Sequence, residues 1–158
     1  MLNTYQHLDA DRLVPSVTEA LDRALLGLVD LLGRARAASV PGIDANDNFG
    51  RWRSRHGEIL DMALSGRHPE LVEPLRPDDD SPFVVKARHS IFYETPLAYL
   101  LRGLDVDELV LTGQVIEQCV LYSAPDAHIR HLGVTVPRDA VAHIGENGRV
   151  SADAGPRL

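Results

Sequence analysis

The sequence predicts an α/β protein with three layers, in which helices cover both faces of a mostly parallel sheet. Three short apolar runs support this prediction, at residues 83–85, 109–111 and 132–136. They do not alternate with polar residues, as is typical of strands buried in a parallel sheet. Helical patterns over 96–103 and 117–131 separate the runs, and this strand–helix–strand order favours parallel pairing.

A long amphipathic helix precedes these elements. Pro15 suits a first helical turn, and an apolar stripe at three- and four-residue steps follows it. The stripe consists of Val17, Leu21, Leu25, Leu28 and Leu32. We expect this helix to pack on the sheet and to carry no chemistry.

The middle of the chain is less regular. Residues 40–45 are expected to form a strand, although a glycine and an aspartate make it a poor one. A loop is expected at 46–50 and a weak helix at 55–65. Residues 67–82 are rich in proline and aspartate, and this composition predicts a surface connection.

The composition indicates one soluble domain. The chain has 158 residues, of which 44% are hydrophobic and 25% charged, as in ordinary globular proteins. No apolar run approaches the ~20 residues of a membrane span, and the start does not resemble a signal peptide. A net charge of -7 provides no electrostatic footprint for nucleic acid. The single cysteine excludes an internal disulfide and favours a reducing, cytoplasmic setting.

One lysine and one cysteine are the candidates for chemistry. Lys86 closes one predicted strand, and Cys119 lies in the first turn of the helix after the next strand, so both are expected at the same edge of the sheet. Free N–H groups at a helix start and a nearby ammonium favour a thiolate, and the N–H groups can hold an oxyanion. This combination predicts an acyl-transfer or hydrolase site. The alternative stays open, because a lone cysteine is usually a small buried hydrophobe.

Several segments resemble the isochorismatase-like cysteine hydrolases. The cysteine segment at 109–120 carries the resemblance, together with Asp126-Ala127 and residues 136–141, and the lysine segment at 85–97 supports it. The resemblance extends in order from about Met1 to about His143. It implies a six-stranded parallel sheet and an Asp–Lys–Cys triad. It also implies cleavage of an amide, a ureido group or a vinyl ether in a small molecule.

The resemblance implies a role for each residue of the site. Cys119 would be the nucleophile and Lys86 the cation that stabilises its thiolate. The N–H groups of Val115 and Cys119 would form the oxyanion hole, next to a cis peptide bond between Gln114 and Val115. No cofactor is implied. The partner would be a small-molecule substrate, and a homo-oligomer is expected because family members commonly assemble.

The resemblance also indicates where a substrate pocket and a metal site would lie. The residues expected in the pocket are Asn48, Trp52, Tyr93 and Ile116. The segment 46–48 aligns with the place where some relatives, the nicotinamidases, hold a metal ion. His56 and His68 do not have the spacing of those metal ligands, so no metal is expected.

The chain departs from the family pattern at both ends. Met1 stands where the residue after the catalytic aspartate is expected, so the N-terminal central strand and its acid are missing from the sequence. Ile116 replaces the usual threonine, and the C-terminal helix and strand are missing. Residues 145–158 are expected to be a disordered tail, which leaves an incomplete hydrolase domain at 1–144.

Two functions therefore remain open. The first is a cysteine hydrolase that acts on a small molecule, with its aspartate outside this chain. The second is a truncated and catalytically impaired relic of the same fold, which acts as a binding or oligomer subunit.

Overall fold

A long helix forms one face of the protein. The computed structural model describes residues 2–6, 10–51 and 55–144, and this helix, α1, spans Ala10–Ala37. Pro15 lies inside α1 and not in its first turn, so the predicted start of the helix is wrong. The expected tail at 145–158, like Trp52, falls outside the described residues.

Packing explains why α1 continues through the proline. A proline beyond the first turn removes one backbone hydrogen bond. The inward face of α1 carries Ala20, Leu21, Ala24 and Leu28, whose exposed fractions are 5% or less. Burial of a large aliphatic side chain contributes roughly 1.5–3 kcal/mol. The free energy gained by burying the apolar face of α1 therefore exceeds the cost of placing a proline inside the helix.

Six strands are present in the part of the chain that the structure describes, and every strand runs parallel to its partner. They are β1 (Asp44–Asp47), β2 (Phe83–Lys86), β3 (Glu108–Val110), β4 (Gly113–Gln114), β5 (Gly133–Thr135) and β6 (Val141–Ala142). β1 pairs with β2, β3 with β5, and β4 with β6. The α/β prediction is confirmed. The described strands nevertheless form three two-stranded ladders in place of one continuous sheet, and none of these ladders joins β1 to β3 or β4.

The first strand lies further along the chain than the sequence suggested. Pro41 and Gly42 precede it, whereas Asn46 and Asp47, which were expected in a loop, belong to it. The N–H of Asp44 donates to the carbonyl of the residue before β2 at 2.9 Å. Pairing with β2 thus determines the boundaries of β1, and this non-local interaction overrides the weak local propensity.

Short helices connect the strands. The α-helices after α1 are α2 (His56–Leu64), α3 (Pro69–Val72), α4 (Leu97–Gly103) and α5 (Leu121–His128). A 3-10 turn follows α3 at Glu73–Leu75, and a second lies at Arg138–Ala140. The prediction of a surface connection at 67–82 is wrong, because Leu71, Val72 and Leu75 are buried.

The apolar core positions the carboxyl ends of the strands. α1 packs against the 3-10 turn at Arg138–Ala140 and against β6. The cluster around Val84, Leu97 and Leu101 packs between β2 and α4. Lys86 ends β2, and a short segment after β4 leads to Cys119. Within the described ranges, no helix is both long enough and apolar enough to cross a bilayer.

Two glycines of α1 provide a matched test of this packing. A Cβ atom added at Gly27 would lie 2.2 Å from the carbonyl oxygen of Asp139, a backbone atom of the neighbouring 3-10 turn, whereas one added at Gly33 would meet nothing within 4 Å. We expect Gly27→Ala to lower the free energy of unfolding by about 2 kcal/mol or more. Gly33→Ala should raise it by up to about 1 kcal/mol, because alanine favours the helix. Urea unfolding measures both, and equal effects would contradict the packing.

Candidate active site

Lys86 and Cys119 meet at the carboxyl edge of the strands. The Nζ of Lys86 lies 3.4 Å from the Sγ of Cys119 and donates a hydrogen bond to the carbonyl of Arg88 at 3.0 Å. Lys86 is only 6% exposed. An ammonium that is withdrawn from water needs polar or charged partners. The sulfur and the carbonyl are the two partners of this side chain in the part of the chain that the structure describes.

The cysteine lies in a π-helical turn that leads into α5, the last α-helix of the described residues. This turn extends over Ile116–Val120 and continues directly into α5. The peptide bond between Gln114 and Val115 is cis. Gly113, immediately before it, has a φ of 113°, a conformation that favours glycine. The N–H of Val115 has no hydrogen bond within the described ranges and lies next to the first helical turn.

Hydrogen bonds of two serine hydroxyls hold the segment after β2 against α5 and the turn that carries Cys119. Ser123 donates to the carbonyl of Cys119 at 2.5 Å and accepts from the N–H of Ile91 at 3.1 Å. Ser90 donates to Asp126 of α5, whose side chain also pairs with Arg130. Ser90 and Ser123 are both buried. These bonds connect the segment after β2 to α5, so the positions of the lysine and the cysteine depend on each other.

The N-terminal segment crosses the same edge and is held by specific bonds. The N–H of Leu2 donates to the Oδ1 of Asn46 at 3.1 Å, and the Nδ2 of Asn46 donates to the carbonyl of Leu2 at 3.0 Å. The carbonyl of Thr4 accepts from the N–H of Arg67 at 2.9 Å. The segment is therefore anchored to β1 and to the end of α2, and it forms one side of the site.

A small cavity, which we call the site cavity, opens onto the lysine and the cysteine. Its volume is about 310 Å³, which is in the range of small-molecule sites. Besides Lys86 and Cys119, its polar lining consists of Asn3, Tyr5, Asp47, His89, Gln114 and Gln118. The arrangement combines a thiol, an ammonium, amides and a carboxylate around a space for a small molecule.

Three of the four residues expected in a substrate pocket lie outside the lining of the site cavity. Neither Asn48 nor Tyr93 nor Ile116 belongs to the described lining of the site cavity. The Asn48 side chain accepts from the N–H of Gly50, and Tyr93 is 54% exposed. Ile116 is buried in an apolar cluster with Val120, because its position in the π-helical turn directs it toward the core. Trp52 is outside the described residues.

Sequence reasoning placed Gln114 at the cis peptide bond but found neither Tyr5 nor its contact with Gln114. The hydroxyl of Tyr5 lies 3.1 Å from the Nε2 and 3.3 Å from the Oε1 of Gln114. Burial raises the pKa of Tyr5 to about 12, although the hydrogen bond to Gln114 acts in the opposite direction. These residues are 109 positions apart, so no local pattern connects them. The one sequence feature that pointed to Gln114 was its place in the segment before Cys119, and no sequence feature pointed to Tyr5.

The side chains of Asn46 and Asp47 bond to the protein itself. Asn46 is 8% exposed and bonds to Leu2. The Oδ1 of Asp47 accepts from the N–H of Phe49. Among the residues described, no group of three or more His, Cys, Asp or Glu side chains is placed to hold a metal ion.

The protein has parallel strands covered by helices, and a polar site lies at the carboxyl ends of the strands. This arrangement defines the class of α/β proteins that bind ligands at that edge of the sheet. Residues 13–152 match the family model of the isochorismatase domain. The chain is 32% identical over 142 residues to the isochorismatase family protein YaaI of Bacillus subtilis. This alignment covers 90% of this chain and 76% of YaaI. The chain belongs to the isochorismatase family.

Two further similarities agree with this assignment. The chain is 34% identical over 124 residues to streptothricin hydrolase of Streptomyces noursei, covering 77% of this chain and 45% of that protein. The crystal structure of N-carbamoylsarcosine amidase from Thermoplasma acidophilum aligns with a TM-score of 0.65 and 26% identity, over 95% of this chain and 84% of that one.

The Tyr5–Gln114 contact predicts a specific dependence on pH. The neutral phenol is favoured in the folded state, since its pKa is about 12 there and about 10 when exposed. The stability that Tyr5 contributes is therefore intact below pH 10 and is lost between pH 10 and about 12. We expect the difference in free energy of unfolding between the wild type and Tyr5→Phe to fall by about 2 kcal/mol over that interval. Chemical denaturation at each pH measures it, and a constant difference would contradict the buried phenol.

The lysine–cysteine contact predicts the reactivity of the thiol. Lys86→Met removes the ammonium and keeps an unbranched side chain, so the sulfur of Cys119 loses the neighbouring charge that favours the reactive thiolate form. We expect alkylation of Cys119 by iodoacetamide at neutral pH to slow by about tenfold, the equivalent of 1.4 kcal/mol. Arg88→Met is the matched control, because Arg88 is exposed and contributes only its backbone carbonyl to the site. Equal rates in the two variants would contradict the contact.

Proposed function

We propose that this chain is a small-molecule cysteine hydrolase in which Cys119 is the nucleophile. The observation that carries the proposal is the 3.4 Å separation between the Sγ of Cys119 and the Nζ of Lys86, next to a cavity of about 310 Å³. A thiolate is the reactive form of cysteine, and an adjacent cation favours it. The burial of Lys86 strengthens this effect, because charges interact more strongly where water is excluded.

In the first half-reaction the thiolate attacks the carbonyl carbon of the substrate. The carbonyl oxygen becomes an oxyanion and accepts hydrogen bonds from the N–H groups of Val115 and Cys119. Such donors typically contribute a factor of about 10²–10³ to the rate, because they point to the place where charge develops. The carbon–nitrogen bond then breaks. The leaving nitrogen takes a proton from the ammonium of Lys86, and a thioester remains on Cys119.

In the second half-reaction a water molecule takes the place of the departed amine product and hydrolyses the thioester. The neutral amine of Lys86 takes a proton from the water as it attacks the thioester carbon. The sulfur leaves as a thiolate, the acid product is released, and the ammonium–thiolate pair is restored. Lys86 thus acts as the acid in one step and as the base in the next, as microscopic reversibility allows.

The substrate class that we propose is a small molecule with an amide or a ureido carbonyl. The names of two relatives, N-carbamoylsarcosine amidase and streptothricin hydrolase, support hydrolysis of small molecules. The polar side chains of Asn3, Gln114 and Gln118 line the cavity and suit the N–H and C=O groups of such a substrate. A vinyl ether is the third substrate class to include in the test.

One observation favours the second candidate, a binding subunit with impaired catalysis. In the ranges that the structure describes, no carboxylate forms an ion pair with Lys86. The proton transfers above therefore depend on the lysine alone. A chain of this second kind would bind a carbonyl compound in the site cavity without turning it over.

A trapping experiment separates the two candidates. The protein is incubated with a panel of N-carbamoyl amino acids, primary amides and vinyl ethers, and intact-mass spectrometry follows the protein while product release is assayed. We expect a covalent adduct of the acyl mass on the wild type. Cys119→Ser should lower turnover by at least about 10³-fold and abolish the thioester.

The control for this experiment is Tyr99→Phe, which changes an exposed side chain that lines neither cavity next to Lys86 and Cys119 and should leave turnover unchanged. Saturable binding of a panel compound without an adduct or product would favour the binding subunit. Turnover that survives in Cys119→Ser would contradict the proposed nucleophile.

A further inference from the structure

A tyrosine and a glutamine contribute a hydrogen-bonded pair to the lining of the site cavity. The hydroxyl of Tyr5 lies 3.1 Å from the Nε2 and 3.3 Å from the Oε1 of Gln114. Both residues line the cavity together with Lys86 and Cys119. Tyr5 comes from the N-terminal segment, whereas Gln114 ends β4. The proposed hydrolysis uses neither side chain, although both line the same cavity as the reacting residues.

Several contacts fix the position of Tyr5. Its φ is 53°, in the left-handed region that residues other than glycine adopt only at a cost. The N–H of Tyr5 donates to the Oδ1 of Asn3 at 2.8 Å. Its ring packs edge-on against the ring of His68, with 5.7 Å between the centroids, and Tyr5 is 3% exposed. A backbone conformation of this kind persists where the surroundings hold it, and such residues cluster at ligand sites.

The bond to Gln114 leaves one hydrogen-bonding function of the phenol for a ligand. A phenol has one donor and two acceptor positions. In the shorter of the two contacts the Nε2 of Gln114 donates to the phenol oxygen, so the phenol retains its own proton to donate. Burial raises the pKa of Tyr5 to about 12, and the phenol therefore keeps that proton at neutral pH. A hydrogen-bond acceptor of a bound molecule fits this donor.

The charges of the cavity favour an acceptor that is itself uncharged. The described lining includes the carboxylate of Asp47 as well as the ammonium of Lys86 and the sulfur of Cys119. When the sulfur is a thiolate, it and the ammonium compensate each other. With His89 neutral, the carboxylate of Asp47 then leaves an excess negative charge. This charge would repel a carboxylate of a bound molecule, whereas it would not repel the carbonyl of a carboxamide.

We propose that Tyr5 and Gln114 determine the substrate specificity of this site by binding an uncharged carboxamide group next to the scissile carbonyl. The preferred substrate is then a ureido compound whose side chain ends in a carboxamide. Tyr5 donates to that group, and Gln114 positions the hydroxyl of Tyr5. The inference rests on the proposed function, because it takes the site cavity as the substrate site. Such a site discriminates against analogues without the group, since its own buried polar groups are then left unpaired.

Three ureido compounds of similar shape test the proposal at a mildly alkaline pH, where histidine is neutral. N-carbamoylglycinamide carries the carboxamide, N-carbamoylglycine replaces it with a carboxylate, and isobutylurea replaces it with an apolar branch. Ammonia release gives kcat and KM for the wild type. Calorimetry gives the Kd of each compound for Cys119→Ser, which cannot form the thioester. We expect a preference of at least about tenfold for N-carbamoylglycinamide over the other two, both in kcat/KM and in Kd.

Two variants separate recognition from a structural role. Tyr5→Phe removes the hydroxyl and keeps the ring, and Gln114→Met keeps the length of the side chain without its amide. We expect both to raise the KM for N-carbamoylglycinamide about tenfold, to leave kcat within about twofold, and to remove the preference over isobutylurea. Tyr99→Phe, which removes the hydroxyl of an exposed tyrosine, is the matched control and should keep the wild-type preference.

The preference is a ratio within one variant, so a partial loss of folded protein does not change it. If Tyr5→Phe weakens all three compounds equally, the tyrosine has only a structural role and the proposal is overturned. A preference for N-carbamoylglycine, or no binding and no turnover of any of the three compounds, would overturn it as well.

Binding and turnover together distinguish failure of this proposal from failure of the proposed hydrolysis. Selective binding of N-carbamoylglycinamide without ammonia release would contradict the hydrolase. It would still support the role of the pair, provided that Tyr5→Phe in the Cys119→Ser protein abolishes the selectivity. Turnover without any preference among the three compounds, or a preference that persists in Tyr5→Phe, would overturn the specificity role and leave the hydrolase intact.

Discussion

A buried ammonium in contact with a sulfur atom is the constraint on which the site depends. Lys86 is withdrawn from water at the end of β2, and its Nζ has Cys119 and a backbone carbonyl as partners. A buried charge without partners is costly, so the segment after β2 and the π-helical turn must keep their relative positions. Ser90 and Ser123 supply the bonds that hold them.

The sequence predicted the parts of the structure that local patterns encode. Continuous aliphatic runs identified β2, β3 and β5, and the rule that parallel strands end at one edge placed Lys86 near Cys119. Parts that depend on contacts between distant segments could not be read in this way. The burial of Leu71 and Leu75, the helical turns before Pro15 and the contact of Tyr5 with Gln114 all belong to this second group.

The division of the strands into separate pairs could not be predicted from the sequence. Local patterns show where strands lie but do not show which edges are paired, so this feature became visible only in three dimensions. A second cavity, of about 410 Å³, shares Lys86 and Cys119 with the site cavity. The ammonium that the hydrolase proposal requires is therefore in contact with both cavities.

The central proposal is that contact with the ammonium of Lys86 favours the reactive thiolate form of Cys119, and ultraviolet difference absorbance of the thiolate tests it most directly. The spectrum of Cys119→Ser is subtracted to isolate the signal of this single thiol. The account predicts a thiolate band at neutral pH in the wild type that is strongly reduced in Lys86→Met and retained in Arg88→Met. A band of equal strength in all three proteins, or no band at neutral pH in the wild type, would contradict the account.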